Sequence, residues 1–366
     1  MIICRAPGKL FIAGEYAVVE PGRHAVLTAV DRYATAAVVA AGAEGTTLHS
    51  DLDGGVTLSC GRVGGRLVPS TADGIVPPNF TYVFAAAAII EQLLVERGIG
   101  ARSYRLSIGT DLADEDGRKL GLGSSAAVTV ATVAALGRFH RLDLSPMDRY
   151  RLAMLATVSI NPRASGGDVA ASTWGGWIAY CSPDRQRVSE LARESGVDAA
   201  LRAPWPGLSV RPLPTPTGLA MQVGWTAKPA STPTMVAGLG DSRRKLGAHA
   251  DFVSRSDHCV QRLTAALEAD DSLGIRTEID CARQLLLDLD ATAQLGIMTP
   301  SLRALCEAGE AVGAAAKPSG AGGGDCGIAL IDRTRRAAIT ELTGRWVAAG
   351  IRPLSLRTHP FEGDRR

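Results

Sequence analysis

The sequence predicts an α+β protein of two mixed layers, and three observations carry that expectation. The chain has 366 residues, which at about 150 per domain gives roughly two domains, each large enough for its own core. Strand-like and helix-like stretches come in clusters rather than in the regular βα alternation of a parallel-sheet protein. Proline and charge are dense between residues 183 and 217 (SPDRQ, APWPG, RPLPTPTG), as at a boundary between units. The expected division is residues 1–185 and 186–366.

The elements follow in order. Residues 2–6 and 10–12 read as a strand pair joined by a Pro7-Gly8 turn, with a second turn at Gly14. Residues 25–40 are rich in β-branched residues and alanine and read as another strand pair. Glycine-rich alternating runs over 42–74 suggest hairpins. Apolar residues at helical spacing predict a helix over 81–97, with Asn79 or Thr81 as cap and Gly98 as stop. A strand is expected over 104–108, helices over 124–139 and 146–158, and a buried strand over 174–180. The second half supplies a strand at 220–227, helices near 241–270, 272–290 and 300–313, a glycine cluster at 320–324, a strand at 327–331, a helix over 334–349 and a terminal strand.

Composition removes several function classes. Hydrophobic residues make up 46% and charged ones 21% of the chain, the balance of a globular protein, and no apolar run approaches the roughly 20 residues of a membrane helix. The 39 basic residues against 37 acidic ones leave +2, without the basic stripe that nucleic-acid binders need. Neither a membrane nor a nucleic-acid partner is expected. Seven cysteines are scattered singly without a CxxC pair, which fits thiols in a reducing cytoplasm. The first residues lack the apolar stretch of a signal peptide, so the expected location is cytoplasmic.

Only five of the 39 basic residues are lysine: Lys9, Lys119, Lys228, Lys245 and Lys317. Where arginine serves as the generic surface cation, a retained lysine is informative. Its compact ammonium on a flexible stem can follow a moving phosphoryl group, which a rigid guanidinium fork does less well. Four of the five lie in or beside glycine-, serine- or proline-rich segments.

Those segments carry the chemistry. Gly121, Leu122, Gly123, Ser124, Ser125 and Ala126 run directly into a predicted helix. Glycines let backbone amides approach an anion, and the helix N-terminus adds its dipole, so phosphate is the natural ligand. The spacing also satisfies GxGxxA, but an acidic loop rather than a buried strand precedes it, against a dinucleotide-binding turn. No GxxxxGK[ST] is present. A second segment, residues 317–325 (KPSGAGGGD), lies between a helix and a strand. Two more are residues 5–10 with 14–16 (RAPGKL, GEY), and SGGDVAASTWGG at 165–176.

Taken together, PGKLFIAGEYAVV, GLGSSAAV, SGGD and PSGAGGGDCG, in that order over residues 5–328, resemble the GHMP kinase superfamily. Lys119 ahead of GLGSS, the segment GWTAKPAST at 224–232 and the ending KPSGAGGGDCGIAL make the likeness closest to bacterial-type phosphomevalonate kinases. The resemblance implies a ribosomal S5-like N-terminal domain, a ferredoxin-like C-terminal domain, and a site between them. It implies ATP-dependent phosphorylation of (R)-5-phosphomevalonate to 5-diphosphomevalonate in isoprenoid biosynthesis, with Mg2+ as cofactor, by a monomer or homodimer.

On this resemblance the nucleotide phosphates lie on residues 121–126. Lys9 and Lys119 serve the reacting phosphates, and Asp168 orients Mg2+ or a lysine. Tyr16, Lys228, Ser231, Thr232, Ser319, Gly320, Ala321 and Gly322, with Lys9, meet the acceptor. One departure stands out. Mevalonate kinases place a glutamate about eleven residues before the SGxD aspartate as a magnesium ligand, and here that residue is Thr157, which leaves Ser125 and nucleotide oxygens as metal donors. The alternatives are a mevalonate kinase, a diphosphomevalonate decarboxylase, or a non-catalytic nucleotide sensor on the same fold.

Overall fold

β-branched and small residues run without a breaker from His24 to Ala40, and they form one 17-residue strand rather than the expected pair. This strand, β2 (His24–Ala40), gives β1 (Ile2–Ala13) an antiparallel partner along its whole length. The anticipated Pro7-Gly8 turn is therefore absent. The ladder absorbs Pro7, which has no N–H to donate, as a register shift between Pro7 and Gly8. The structure is a computed structural model and describes residues 1–42, 45–51, 55–227, 235 and 246–362.

The first sheet is completed by β3 (Thr46–Ser50), β4 (Val56–Val63), β5 (Arg66–Pro69), β6 (Tyr104–Thr110), β7 (Trp177–Cys181) and β8 (Ser209–Leu213). Its order is β5-β4-β3-β6-β2-β7-β8, with β1 on the other edge of β2. The helices α1 (Thr81–Glu96), α2 (Ser124–Phe139), α3 (Pro146–Ile160) and α4 (Gly167–Trp174) pack together beside it. Trp174 thus ends a helix, and a Gly175-Gly176 turn leads into β7, so the strand expected from 174 starts at Trp177. Two short helices, α5 (Arg185–Ser195) and α6 (Val197–Arg202), precede β8.

Because β8 pairs with β7, the first sheet extends past residue 185, where the proline density predicted a boundary. Pro212 is tolerated there because β8 is an edge strand, which needs its N–H groups on one side only. We place the division of the chain between β8 and the next strand, β9 (Leu219–Trp225).

The second sheet has the order β10-β11-β9-β12 and is wholly antiparallel. Its elements are β9, α7 (Leu246–Glu268), α8 (Ser272–Ala293), α9 (Pro300–Ala311), β10 (Ala315–Pro318), β11 (Cys326–Asp332), α10 (Arg336–Ala348) and β12 (Arg352–Leu354). In chain order this is a split β-α-β unit of the ferredoxin type, in which the first and third strands are central. The tail then returns to the first sheet: His359 N donates to the Ala29 carbonyl, and the Gly176 N–H donates back to the His359 carbonyl.

The stretch Pro78–Glu96 is long and apolar enough to cross a membrane by length and composition, which corrects the expectation that no such run exists. It is a core helix of this fold. Ile90, Leu93 and Leu94 are fully buried, and α1 packs on α2 and α3. Glu91, also fully buried, accepts from Arg62 Nε at 2.7 Å and Nη2 at 2.8 Å and from the Tyr104 hydroxyl at 3.0 Å. These bonds lock α1 to β4 and β6. Glu91→Ala strands the guanidinium and the phenol, and since Arg62 keeps some solvent contact, the expected loss is about 2–3 kcal/mol, read as a lower urea midpoint.

Candidate active site

β1 passes directly over the loop that precedes α2. The Lys9 N–H donates to the Leu122 carbonyl at 2.8 Å, and Lys9 Nζ donates to the Gly121 carbonyl at 3.2 Å. Glycine is what allows the approach. A Cβ at Gly8 would stand 2.8 Å from the Leu122 carbonyl oxygen, and one at Gly123 would stand 2.9 Å from Lys9 Cγ and Cε. Gly123 also has φ +78°, the left-handed region, as it turns the chain into α2.

No side chain caps α2. Its first closing bond runs from Ala127 N to the Gly123 carbonyl at 3.1 Å, so the preceding amides at 124–126 have no partner within the helix. They open onto a cleft of about 550 Å3, and orphan donors with the helix dipole give that end a positive potential able to receive an anion.

The cleft gathers most of the predicted residues. Lys9, Tyr16, Lys119, residues 121–126, Asp168, Gly320 and Ala321 all line it. Lys9 is largely buried, with 8% of its surface exposed, whereas Lys119 is exposed on the rim. Asp168 stands in the first turn of α4, which starts from left-handed Gly166, and its Oδ1 accepts from the Val169 N–H at 2.9 Å. Tyr82 on α1 lies between Ser125 and Asp168. Burial raises its phenol pKa, the Asp168 charge adds to that, and a hydrogen bond with Ser125 opposes it. A serine hydroxyl and an aspartate carboxylate thus converge from two helix N-termini.

Behind the cleft lies a charge pair that unites the two layers. Lys317 is fully buried and donates to Glu15 Oε1, and also to the Pro318 carbonyl at 2.7 Å. The same Glu15 oxygen accepts from the Gly320 N–H at 3.3 Å. Sequence alone placed Glu15 on the hairpin and Lys317 beside the glycine cluster, but their separation of 302 positions hides the pairing.

Residues 81–176 match the GHMP kinases N terminal domain family, and residues 271–346 match the GHMP kinases C terminal family. A phosphomevalonate kinase of Streptomyces sp. (strain CL190) is 51% identical over 369 residues, spanning 99% of this chain and 98% of that protein. The chain belongs to the GHMP kinases. The structure of Streptococcus pneumoniae phosphomevalonate kinase in complex with phosphomevalonate and AMPPNP resembles this GHMP kinase with a TM-score of 0.83 and 30% identity, covering 98% of this chain and 100% of that one. A mevalonate kinase of Pyrococcus horikoshii is 25% identical over 96% of this chain and 93% of its own.

Three expectations change in this GHMP kinase. Ser319 is not on the cleft lining: its hydroxyl accepts from Phe11 N at 2.9 Å and donates to the Phe11 carbonyl at 3.0 Å, which makes it a strut between β1 and the glycine loop. Gly322 packs on Ile297, where a Cβ would approach within 2.6 Å, and it too is off the lining. Tyr16 lines the cleft, but its hydroxyl donates to the Ala321 carbonyl at 2.5 Å, so it holds the loop rather than offering a proton to a ligand. Burial, reinforced by the Asp290 and Glu15 charges, pushes that phenol's pKa up. Lys228, Ser231 and Thr232 lie outside the described residues.

Thr157 does line the cleft, and its hydroxyl donates to the Ala153 carbonyl of its own helix at 2.8 Å. Sequence reasoning missed Tyr82, Asn161, Arg163 and Asp325 on the lining. Asp325 was visible as the last residue of GGGD, while Tyr82 and Asn161 sit in helical and turn contexts that carry no signal of their own. Gly123→Ala forces Lys9 away from the loop, and the expected result is a fall in kcat of about 10- to 100-fold with an unchanged far-ultraviolet circular dichroism spectrum.

Proposed function

We propose that this GHMP kinase transfers the γ-phosphoryl group of ATP to the phosphate of (R)-5-phosphomevalonate, giving (R)-5-diphosphomevalonate and ADP. An acceptor phosphate oxygen attacks the γ-phosphorus, and the bond from that phosphorus to the β,γ-bridging oxygen breaks. The observation that carries the reading is the convergence of Lys9, Lys119, Asp168 and the open N-terminus of α2 on one cleft. The 51% identity to a phosphomevalonate kinase along nearly the whole chain supports the choice of acceptor.

The chemistry fits these side chains. A phosphomonoester's second pKa is about 6, so the acceptor arrives largely ionised and needs no strong base. The obstacle is repulsion between two anions, and catalysis rests on positioning and charge. The amides at 124–126 hold the nucleotide phosphates. Lys9 uses one of its three hydrogens on the Gly121 carbonyl and turns its remaining charge to the reacting oxygens. Lys119 approaches from the rim, free to follow the transferred group. The Gly320 and Ala321 backbone, held by Glu15 and Tyr16, faces the acceptor.

Mg2+ fits the donors present, since a hydroxyl (Ser125), a carboxylate (Asp168) and phosphate oxygens are the hard oxygen ligands it takes. When bound, it neutralises charge on the β- and γ-phosphates. Asp168 needs only to orient cations, because the acceptor brings its own ionised oxygen. All seven cysteines are free thiols, as suits the cytoplasm.

ADP release measured with phosphomevalonate, mevalonate, homoserine and galactose is expected to show turnover with phosphomevalonate well above the other three. Equal or faster turnover of mevalonate overturns the acceptor assignment, and release of CO2 makes the protein a decarboxylase. Lys9→Ala and Lys119→Ala are each expected to lower kcat by at least about 10²-fold. For Asp168→Asn the loss is expected to be smaller than for either lysine, and complete inactivity of that variant would instead make Asp168 an indispensable base or metal ligand.

A further inference from the structure

Away from the cleft, α7 and α8 form an antiparallel helical hairpin, and Cys259 and Cys281 each lie eleven residues from Asp270 in its turn. Equal distance from the turn puts them at the same height on facing helices. The two sulfurs and a Glu278 carboxylate oxygen all lie within 4.8 Å of one another. Glu278 is already engaged by Arg262, whose Nε and Nη2 donate to its two oxygens at 2.6 Å and 2.9 Å. The carboxylate is therefore committed to the guanidinium, and the cluster is a thiol pair rather than a metal site. Cys281 is partly exposed and accepts from Arg262 Nη2 at 3.7 Å, while Cys259 is buried and donates to the Glu278 main-chain carbonyl at 3.3 Å.

We propose that Cys259 and Cys281 form a reversible disulfide, made by a hydroperoxide, that staples α7 to α8. Cys281 is the sulfur that solvent reaches. It gives up its proton and attacks hydrogen peroxide, the O–O bond breaks, one water leaves, and Cys281 becomes a sulfenic acid. The Cys259 sulfur then attacks the Cys281 sulfur, the S–O bond breaks, and a second water leaves with the Cys259 proton. The two thiols lose two electrons and two protons, and the peroxide is reduced to two waters. A disulfide of about 2.05 Å requires the two sulfurs to close from their present separation of less than 4.8 Å.

The staple matters because each helix supports one side of the cleft. On α7, His249 contacts Glu20 at 2.6 Å and Asp257 accepts from Arg23 at 2.8 Å, both on the turn between β1 and β2. On α8, Asp290 accepts from Met298 N at 2.9 Å, next to Ile297, whose carbonyl accepts from Gly323 at 2.9 Å. Linking the helices ties the hairpin side of the cleft to the glycine-loop side.

The test is peroxide treatment of the full chain, followed by alkylation and peptide mass mapping, with thermal unfolding measured in parallel. The expected product has lost two hydrogens in a cross-linked peptide pair containing Cys259 and Cys281, is restored by dithiothreitol, and unfolds several degrees higher than the reduced protein. Cys281→Ser is expected to abolish the cross-link, and Cys259→Ser to leave a dimedone-reactive sulfenic acid at Cys281, with both variants retaining the reduced enzyme's activity. Cys259 and Cys281 both still alkylatable after peroxide, a link to any other cysteine, or an unchanged unfolding temperature in the linked protein overturns the proposal.

Discussion

The buried contact between Glu15 and Lys317 is the constraint on which the site depends. Neither side chain reaches water to any extent, at 3% and 0% exposure, so each must find its counter-charge inside the protein. The pair holds the end of β1 against the end of β10, and through Gly320 and Pro318 it fixes the backbone that leads into the glycine loop. Removing one partner leaves an unpaired charge in the interior, at a cost of roughly 3–5 kcal/mol. An apolar pair of similar volume could hold the two layers together, but it could not orient the Gly320 amide.

Around that fixed point the site is built from backbone more than from side chains. Two helices, α2 and α4, begin at glycines in the left-handed conformation and direct their N-termini to one cavity. Their orphan amides and dipoles supply positive potential that needs no reorganisation when the reaction begins. Lys9 adds a full charge beside them, held by the Gly121 carbonyl. The scarcity of lysine acquires a structural meaning: of the three lysines among the described residues, two line the cleft and the third forms its buried support.

The two layers also meet away from the cleft. Arg23 and His24 contact Asp257, and the tail from Thr358 onward returns to pair with β2 and to pack on the Gly175-Gly176 turn. The chain therefore crosses between layers more than once. Each crossing limits how far the walls of the cleft can separate, which suits a reaction whose main demand is holding two anions at a fixed distance.

Helix α2 was legible to the residue, Ser124 to Phe139, because a glycine-serine start and an alanine-rich run are local signals. So was the glycine turn at 121–123 that leads into it. The sequence by itself determined which segments are chemically special, since glycine density and rare lysines report on local backbone freedom and local charge. Only the tertiary structure decided what each segment touches. It made one strand of residues 2–13 because β2 offers an unbroken partner, turned Ser319 into a strut for Phe11, and joined Glu15 to Lys317 across 302 positions. Those outcomes are set by hydrogen-bond satisfaction and burial among residues distant in the chain, and no local pattern encodes them.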